Sequence, residues 1–312
     1  MRPCFMTLLV AAVVASSIRA AEPRLSFKPD DKGCYEFDTG LLKGRLKLDD
    51  KYQGVYPLVD VASGDNLVHP PGIFSYYRVF STGKRYGNAA RDWPTVTRVL
   101  PDGAVEARWA PAKAHPVAMT AVYRWTAADV LDLETSVTPD EEMPGFEVFV
   151  SSYFVPGFRA SVYAQSPDDA QAKPGFIPAD RTPQSKGGYV MFPRDREAEE
   201  MITDGRWKIP PNAVDWALIR WLAAPLVMRR DETRGLTGLM MIPPDDCFAV
   251  SCPWNRESRE QGGYRSLYFS LFGRDVKAGQ TVRAHTRLVI RRNLSDAKAV
   301  ELYQQYLKER QP

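Results

Sequence analysis

Short segments in which polar and apolar residues alternate run along most of this chain. A period of two is typical of β-strands that have one buried and one wetter face. The segments that fit this pattern are, in chain order, residues 44–48, 103–109, 120–126, 130–138, 146–154, 221–229, 236–242, 248–252, 266–272 and 281–291. Turn residues separate them, and 25 prolines in 312 residues count against long helices. We therefore predict an all-β fold built from a meander of antiparallel strands.

Two segments are predicted to be helical. Ser295 can cap a C-terminal helix whose apolar residues recur at steps of three and four, and we expect that helix to pack on the outside of the sheet. Residues 194–201 form a short polar candidate. Residues 165–186 carry Pro, Asp, Gln and Ser in close succession, which predicts a long surface loop.

The N-terminus is typical of a secretory signal peptide. Arg2 precedes a short apolar run at 5–15, and small residues follow up to Ala21. The run is shorter than the roughly 20 residues of a membrane-spanning helix. We therefore predict a signal peptide at 1–21 and a single domain at 22–312, secreted or periplasmic and not inserted in a membrane after the signal is removed.

Charge and cysteine content narrow the possible partners. Lys and Arg number 41 against 38 for Asp and Glu, and no basic run suggests nucleic acid as a partner. If Cys247 and Cys252 share one strand, they lie roughly 16 Å apart and cannot form a disulfide. Cys34 could pair with either, or all three could be buried thiols. The histidines show no metal-ligand spacing, so we expect no metal and no cofactor.

Residues 120–138, with the runs PGFEVFVSSYFVPGF and FGRDVKAGQTVRAHTRLVI, resemble the galactose mutarotase-like (aldose 1-epimerase-like) superfamily. The resemblance implies a β-supersandwich and a sugar ligand. In that family a histidine acid lies on the strand that ends in Tyr-Phe, and a glutamate base precedes the Pro-Gly turn. Here Ser151 stands at the histidine position, and residues 264–276 contain no glutamate. The resemblance therefore predicts the fold without the family's catalytic pair.

Residues 66–94 concentrate side chains of the kind that bind sugars. Aromatic rings stack on the apolar faces of sugar rings, while Arg, Asn and Asp bond hydroxyl groups or a uronic carboxylate. The candidate binding residues are His69, Tyr77, Arg78, Tyr86, Arg91, Asp92 and Trp93, with His115 from a later loop. The same residues also fit core aromatics and solvated charges, and both interpretations stay open.

A second segment, 252–266, is predicted to be a loop that could form the other wall of a cleft. It adds Trp254 and Arg256 as binding candidates and Glu257 and Glu260 as acid/base candidates.

These patterns predict an exported carbohydrate-binding protein that acts in glycan recognition or processing. The alternative is a carbohydrate-active enzyme of the epimerase, hydrolase or lyase type. Its acid/base pair would come from His69, His115, Tyr86, Glu257 or Glu260. The missing family pair favours binding, while the polar aromatics of residues 66–94 keep the enzyme hypothesis open.

Overall fold

The computed structural model describes residues 25–47, 54–166, 173–179, 189–252, 254–255 and 264–311. The predicted signal peptide and the candidates Arg256, Glu257 and Glu260 lie outside these residues.

The described chain consists mainly of β-strands. They are β1 Lys28–Pro29, β2 Tyr35–Asp38, β3 Leu42–Leu46, β4 Val55–Asp60, β5 Ser75–Ser81, β6 Lys84–Arg85, β7 Thr95–Val99, β8 Val105–Trp109, β9 Val117–Ala127, β10 Val130–Pro139, β11 Met143–Tyr153, β12 Arg159–Ala164, β13 Gly175–Pro178, β14 Val190–Pro193, β15 Ala217–Leu218, β16 Leu222–Asp231, β17 Leu236–Met241, β18 Cys247–Ser251, β19 Trp254–Asn255, β20 Tyr264–Val276 and β21 Val282–Arg292. Two α-helices, α1 Arg196–Thr203 and α2 Asp296–Arg310, complete the order. The predicted all-β class is confirmed.

The strands form three sheets. A four-stranded sheet has the order β1-β2-β3-β4, and a nine-stranded sheet has the order β13-β12-β16-β17-β21-β10-β9-β8-β7. An eight-stranded sheet includes the path β15-β14-β18-β20-β11-β5-β6, with β19 paired to β20. Strands β7 to β10 are consecutive neighbours, so the predicted meander is confirmed for this part of the chain.

The main core lies where the inner faces of the two large sheets meet. Alternation on β9 and β10 directs Tyr123 and Leu133 inward as a cross-strand pair, each 1% exposed. Tyr76 of β5 packs edge-on against Trp109 of β8 at 5.1 Å and bonds the Thr135 hydroxyl of β10 at 2.6 Å. Ring packing and a buried hydrogen bond therefore join the two sheets.

Each large sheet also buries part of its outer face. Helix α2 begins at the predicted cap, where the Ser295 hydroxyl accepts a hydrogen bond from the Lys298 amide, and it packs Tyr303 on the outer face of the nine-stranded sheet. The predicted position of this helix is confirmed. The outer face of the eight-stranded sheet is covered partly by α1 and partly by residues 204–218, called the strap below. No helix in the described ranges is long and apolar enough to cross a membrane.

The predicted loop at 165–186 is wrong for Gly175–Pro178, which forms β13 at the edge of the nine-stranded sheet. There Phe176 packs against Tyr163 of β12 with ring centroids 5.1 Å apart. Proline is tolerated on an edge strand because one side of the strand needs no ladder bond. The short polar helix predicted at 194–201 is confirmed as α1. Cys34, Cys247 and Cys252 are buried thiols.

Two glycines provide a test of how tightly the four-stranded sheet packs. A Cβ at Gly44 of β3 would lie 1.9 Å from the Pro57 carbonyl oxygen of β4, whereas a Cβ at Gly175 would meet nothing within 4 Å. Because backbone must move to admit the methyl group, we expect Gly44→Ala to lower the free energy of unfolding by about 3 kcal/mol or more. Gly175→Ala is the control and should change it by less than about 0.5 kcal/mol. Equal midpoints in urea unfolding would contradict this packing.

Candidate functional site

One half of the outer face of the eight-stranded sheet carries an unusual group of polar aromatic and cationic side chains. Alternation along β11 puts Val148 and Val150 in the main core and turns Phe149 and Tyr153 outward. The same alternation turns Tyr268 of β20 outward, where its ring stacks on Phe149 at 4.5 Å. The Tyr153 and Tyr268 hydroxyl groups lie 3.1 Å apart.

An irregularity in β5 adds two residues to this face. The register between β5 and β11 shifts between Val148 and Val150, so Tyr77 and Arg78 both lie opposite Phe149. Tyr77 stacks on Tyr268 at 6.3 Å. Arg78 places its guanidinium 5.1 Å from the centre of the Tyr77 ring. A regular strand would have sent one of these two side chains into the core.

Arg78 is buried but only partly hydrogen-bonded. The side chain is 2% exposed, and its guanidinium also lies 4.9 Å from the centre of a Trp207 ring. Nη2 donates to the Asn212 carbonyl of the strap at 2.6 Å. Nε and Nη1 have no hydrogen-bond partner in the described structure. Buried donors left in this way cost free energy that a suitable acceptor would recover.

Arg91 approaches the same ring from a short 3₁₀ turn at Ala90–Asp92. Its guanidinium lies 4.8 Å from the centre of the Tyr77 ring, and it hydrogen-bonds Tyr153. Burial acts to lower the pKa of Arg91, but the tyrosines around it, Tyr153 first, raise the pKa overall. Nε and Nη1 again find no partner among the described residues. We call Tyr77, Arg78, Arg91, Tyr153 and Tyr268 the arginine–tyrosine face.

A third arginine lies beside this group. Arg85 donates to the carbonyls of Ile209 and Pro211 in the strap and to the Asn88 carbonyl. Burial lowers the pKa of Arg85, and the nearby positive charge of Arg78 lowers it further. Cationic groups are therefore close enough here to repel one another.

The other half of the outer face has a different electrostatic design. Arg206 of the strap is fully buried and donates to Glu147 of β11 at 3.0 Å and to Asp204 at 2.9 Å. The Ser270 hydroxyl donates to the second oxygen of Glu147 at 2.8 Å. Burial raises the pKa of Glu147 against the opposing effect of Arg206. This closed network attaches the strap to the sheet and leaves no charge in need of a ligand.

Of the residues selected from the sequence, Tyr77, Arg78 and Arg91 come together on one face. Tyr86 lies in the main core with its hydroxyl 2.9 Å from the Ser81 hydroxyl. Asp92 is exposed and accepts from the Asn88 amide at 3.1 Å.

Trp93 and His115 form a separate stack. Their rings are parallel within 8° at 3.9 Å, and Trp93 belongs to the main core. The Nδ1 atom of His115 is buried without a partner in the described structure, and burial lowers its pKa. His115 is 7% exposed.

The remaining candidates lie at the end of the sheet where Tyr153 is located. The backbone amide of His69 donates to the Tyr153 carbonyl at 3.0 Å, and Nδ1 of His69 lies 2.8 Å from the Pro70 carbonyl. Trp254 is on β19, and its backbone pairs with Arg265 on the strand that carries Tyr268.

Sequence reasoning missed Tyr153, Tyr268 and Trp207. The alternation of β11 and β20 was visible, but alternation alone does not say which face lies outward when both are apolar. Trp207 lies in the strap, where no periodic pattern marks it. No group of three or more His, Cys, Asp or Glu able to hold a metal ion occurs among the described residues.

Comparison with known proteins finds similarity at the level of structure. No protein-family model and no curated protein matches the chain. A candidate aldose 1-epimerase from Escherichia coli K12 matches with a TM-score of 0.49 and 12% identity, over 83% of this chain and 99% of that one. A galactose 1-epimerase from Lactobacillus acidophilus NCFM matches with a TM-score of 0.46 and 9% identity, over 86% and 97%.

A larger protein also matches. The heparan sulfate lyase from Pedobacter heparinus has a TM-score of 0.46 and 8% identity, over 86% of this chain. The present chain spans 37% of the length of that lyase. Identities this low assign no residue role to this chain.

The buried ion pair between Arg206 and Glu147 gives a stability prediction. Arg206→Met leaves the Glu147 carboxylate buried beside Ser270, so we expect a loss of about 3–5 kcal/mol in the free energy of unfolding. Arg196→Met breaks only the exposed pair with Glu200 and should cost about 0.5 kcal/mol or less. The double variant Glu147→Gln/Arg206→Met should lose less than Arg206→Met alone. Urea unfolding measures all three, and equal losses in the two single variants would contradict the assignment.

His115 and His285 should titrate on opposite sides of the ordinary histidine pKa of about 6.5. Burial lowers the pKa of His115, so its contribution to stability is present above that value and is lost as pH falls through the folded pKa. Burial also acts on His285, but hydrogen bonds to Asp246 and Glu134 raise its pKa overall. Its contribution is present below that value and is lost as pH rises through the folded pKa. NMR titration of both imidazoles tests this, and a His115 midpoint at or above 6.5 would contradict it.

Proposed function

We propose that this chain binds carbohydrate and that the arginine–tyrosine face is the binding surface. The observation that carries the proposal is that two guanidinium groups lie near the centre of the Tyr77 ring, Arg78 at 5.1 Å and Arg91 at 4.8 Å, and that both arginines keep donors without a partner among the described residues. Aromatic rings offer a surface to the C–H face of a sugar, and charged donors beside them bond its oxygens. This face combines both kinds of group.

Tyr153 and Tyr268 lie beside Tyr77 and Arg91 on the same face, with their hydroxyl groups 3.1 Å apart. The predicted signal peptide at 1–21 places this activity outside the cytoplasm in our proposal, either secreted or periplasmic. Trp254 and Arg256 remain candidates for a further wall of the site.

A second function, acid–base chemistry on the bound sugar, is favoured by one arrangement. Arg91 hydrogen-bonds Tyr153, whose hydroxyl lies 3.1 Å from that of Tyr268, so a proton could pass between two oxygens beside a fixed positive charge. Ser151 stands at the position of the superfamily's histidine, and its hydroxyl group donates to the Ser75 carbonyl at 2.7 Å. Any such chemistry would therefore use the tyrosines rather than the family pair.

The binding proposal predicts a ligand-dependent rise in melting temperature. With mono- and oligosaccharides, uronic acids included, we expect at least one to stabilise the mature chain, because a ligand that binds only the folded state shifts unfolding by mass action. Tyr77→Ala should weaken the affinity for that sugar by roughly tenfold, since it removes the aromatic ring that lies near both guanidinium groups. Product analysis of the same mixtures separates binding from turnover.

The matched control is Tyr163→Ala, because Tyr163 is a partly buried tyrosine that packs against Phe176 and the outer face of the nine-stranded sheet. The affinity of the Tyr163→Ala variant for the sugar should equal that of the unchanged chain. A panel in which no sugar stabilises the protein would overturn the function, and an equal loss in both variants would overturn the location.

A further inference from the structure

The arginine–tyrosine face carries positive charge for which the described residues supply no compensating acid. Arg78, Arg85 and Arg91 form no ion pair with any carboxylate in the described part of the chain, although Arg78 is 2% exposed. The repulsion between Arg78 and Arg85, which lowers the pKa of Arg85, shows that these charges act on one another. Lys84, next in sequence to Arg85, points to Glu141 instead at 2.7 Å. The excess of charge is therefore local to the face.

Two other buried or half-buried arginines have acids as partners. On the same sheet face Arg206 pairs with both Glu147 and Asp204. On the outer face of the nine-stranded sheet Arg287 pairs with Asp132 at 2.7 Å and Glu309 at 2.6 Å. Arg78 and Arg91 differ from these two arginines.

Arginine cannot relieve this situation by losing its proton, because its pKa lies far above neutral pH. A buried charge without a counter-charge is costly, and cation–π contact with Tyr77 and Trp207 offsets only part of the cost. An oxyanion offers what is missing, because charge-assisted hydrogen bonds to guanidinium are roughly twice as strong as neutral ones. A neutral sugar hydroxyl would satisfy the hydrogen bonds but not the charge.

We propose that the carbohydrate bound at this face carries an oxyanion, and that Arg78 and Arg91 bind this group while Tyr77 beside them contacts the sugar ring. The inference rests on the proposed function and narrows it to acidic glycans. A uronic carboxylate and a sulfate ester share the required chemistry.

The test compares oligosaccharides of equal length that differ in charge. The probes are a galactan oligosaccharide, the corresponding oligogalacturonate and a sulfated galactan oligosaccharide, each titrated calorimetrically into the full mature chain. We expect at least one acidic probe to bind roughly tenfold or more tighter than the neutral one, and this advantage to shrink as salt rises. The acidic probe that binds tighter identifies whether carboxylate or sulfate is the preferred group.

Arg91→Gln keeps a polar side chain but removes the charge, and it should reduce the preference for the acidic probe to about threefold or less. Arg91→Lys keeps the charge and should retain most of the preference, which separates a charge effect from a packing effect. Arg124→Gln is the control, since Arg124 is paired with Asp102 on the other large sheet. It should leave the preference unchanged. If Arg91→Gln does not fold, the salt dependence and the Arg91→Lys variant carry the test.

The outcomes separate the two proposals. Equal affinity for neutral and acidic probes would leave carbohydrate binding standing and overturn the oxyanion inference. Binding of no probe would overturn both. An acidic preference that is unaffected by salt and by Arg91→Gln would also overturn the inference, because the charge of this face would then have no part in recognition.

Discussion

The outer face of the eight-stranded sheet is partly covered, and the cover must also satisfy the polar side chains of that face. The strap provides that cover, and the ion pair between Arg206 and Glu147 attaches it. Trp207 packs on Phe149 at 4.8 Å, and both members of the ion pair are fully buried. In this half of the face, the aromatic rings are packed and the charge of Arg206 is compensated by acids. Breaking the pair would loosen the strap and expose the aromatic surface beneath it.

The second half of the face is attached to the same strap, but the described residues do not neutralise its arginines. Arg78 and Arg85 hold strap carbonyls, and these carbonyls carry only partial charge. Attachment of the strap therefore uses some donors of these arginines and neutralises none of them. Stability and recognition are coupled here, because an anionic group reaching Arg78 would act on a residue that also closes the strap. Unpaired buried charges of this kind are a common cost of functional sites.

Strands and helices with one face toward solvent are easier to predict from the sequence than strands that are buried on both faces. Strands β9 and β10 and helix α2 were found from their periodicity, and Ser295 marked the cap of α2. Strand β5 was not predicted, because almost every residue from Ser75 to Ser81 is buried and no alternation of polar and apolar residues marks the strand. The register shift that places Tyr77 and Arg78 on one face depends on pairing with β11, a long-range contact that no local pattern encodes.

For the same reason the candidate site was only partly predictable. The composition of residues 66–94 pointed to Tyr77, Arg78 and Arg91, but it gave equal weight to Tyr86 and Trp93, which the fold places in the core. Composition identifies the region, while the fold decides which of its residues come together on one face.

The most direct measurement is an NMR spectrum of the arginine Nε–H groups in the uniformly labelled chain, assigned by substitution and recorded with increasing glycan. The account predicts that the signals of Arg78 and Arg91 shift and become protected from exchange as ligand binds, while that of Arg206, whose Nε–H already donates to Asp204, stays in place. Saturable binding that leaves the Arg78 and Arg91 signals unchanged would contradict it.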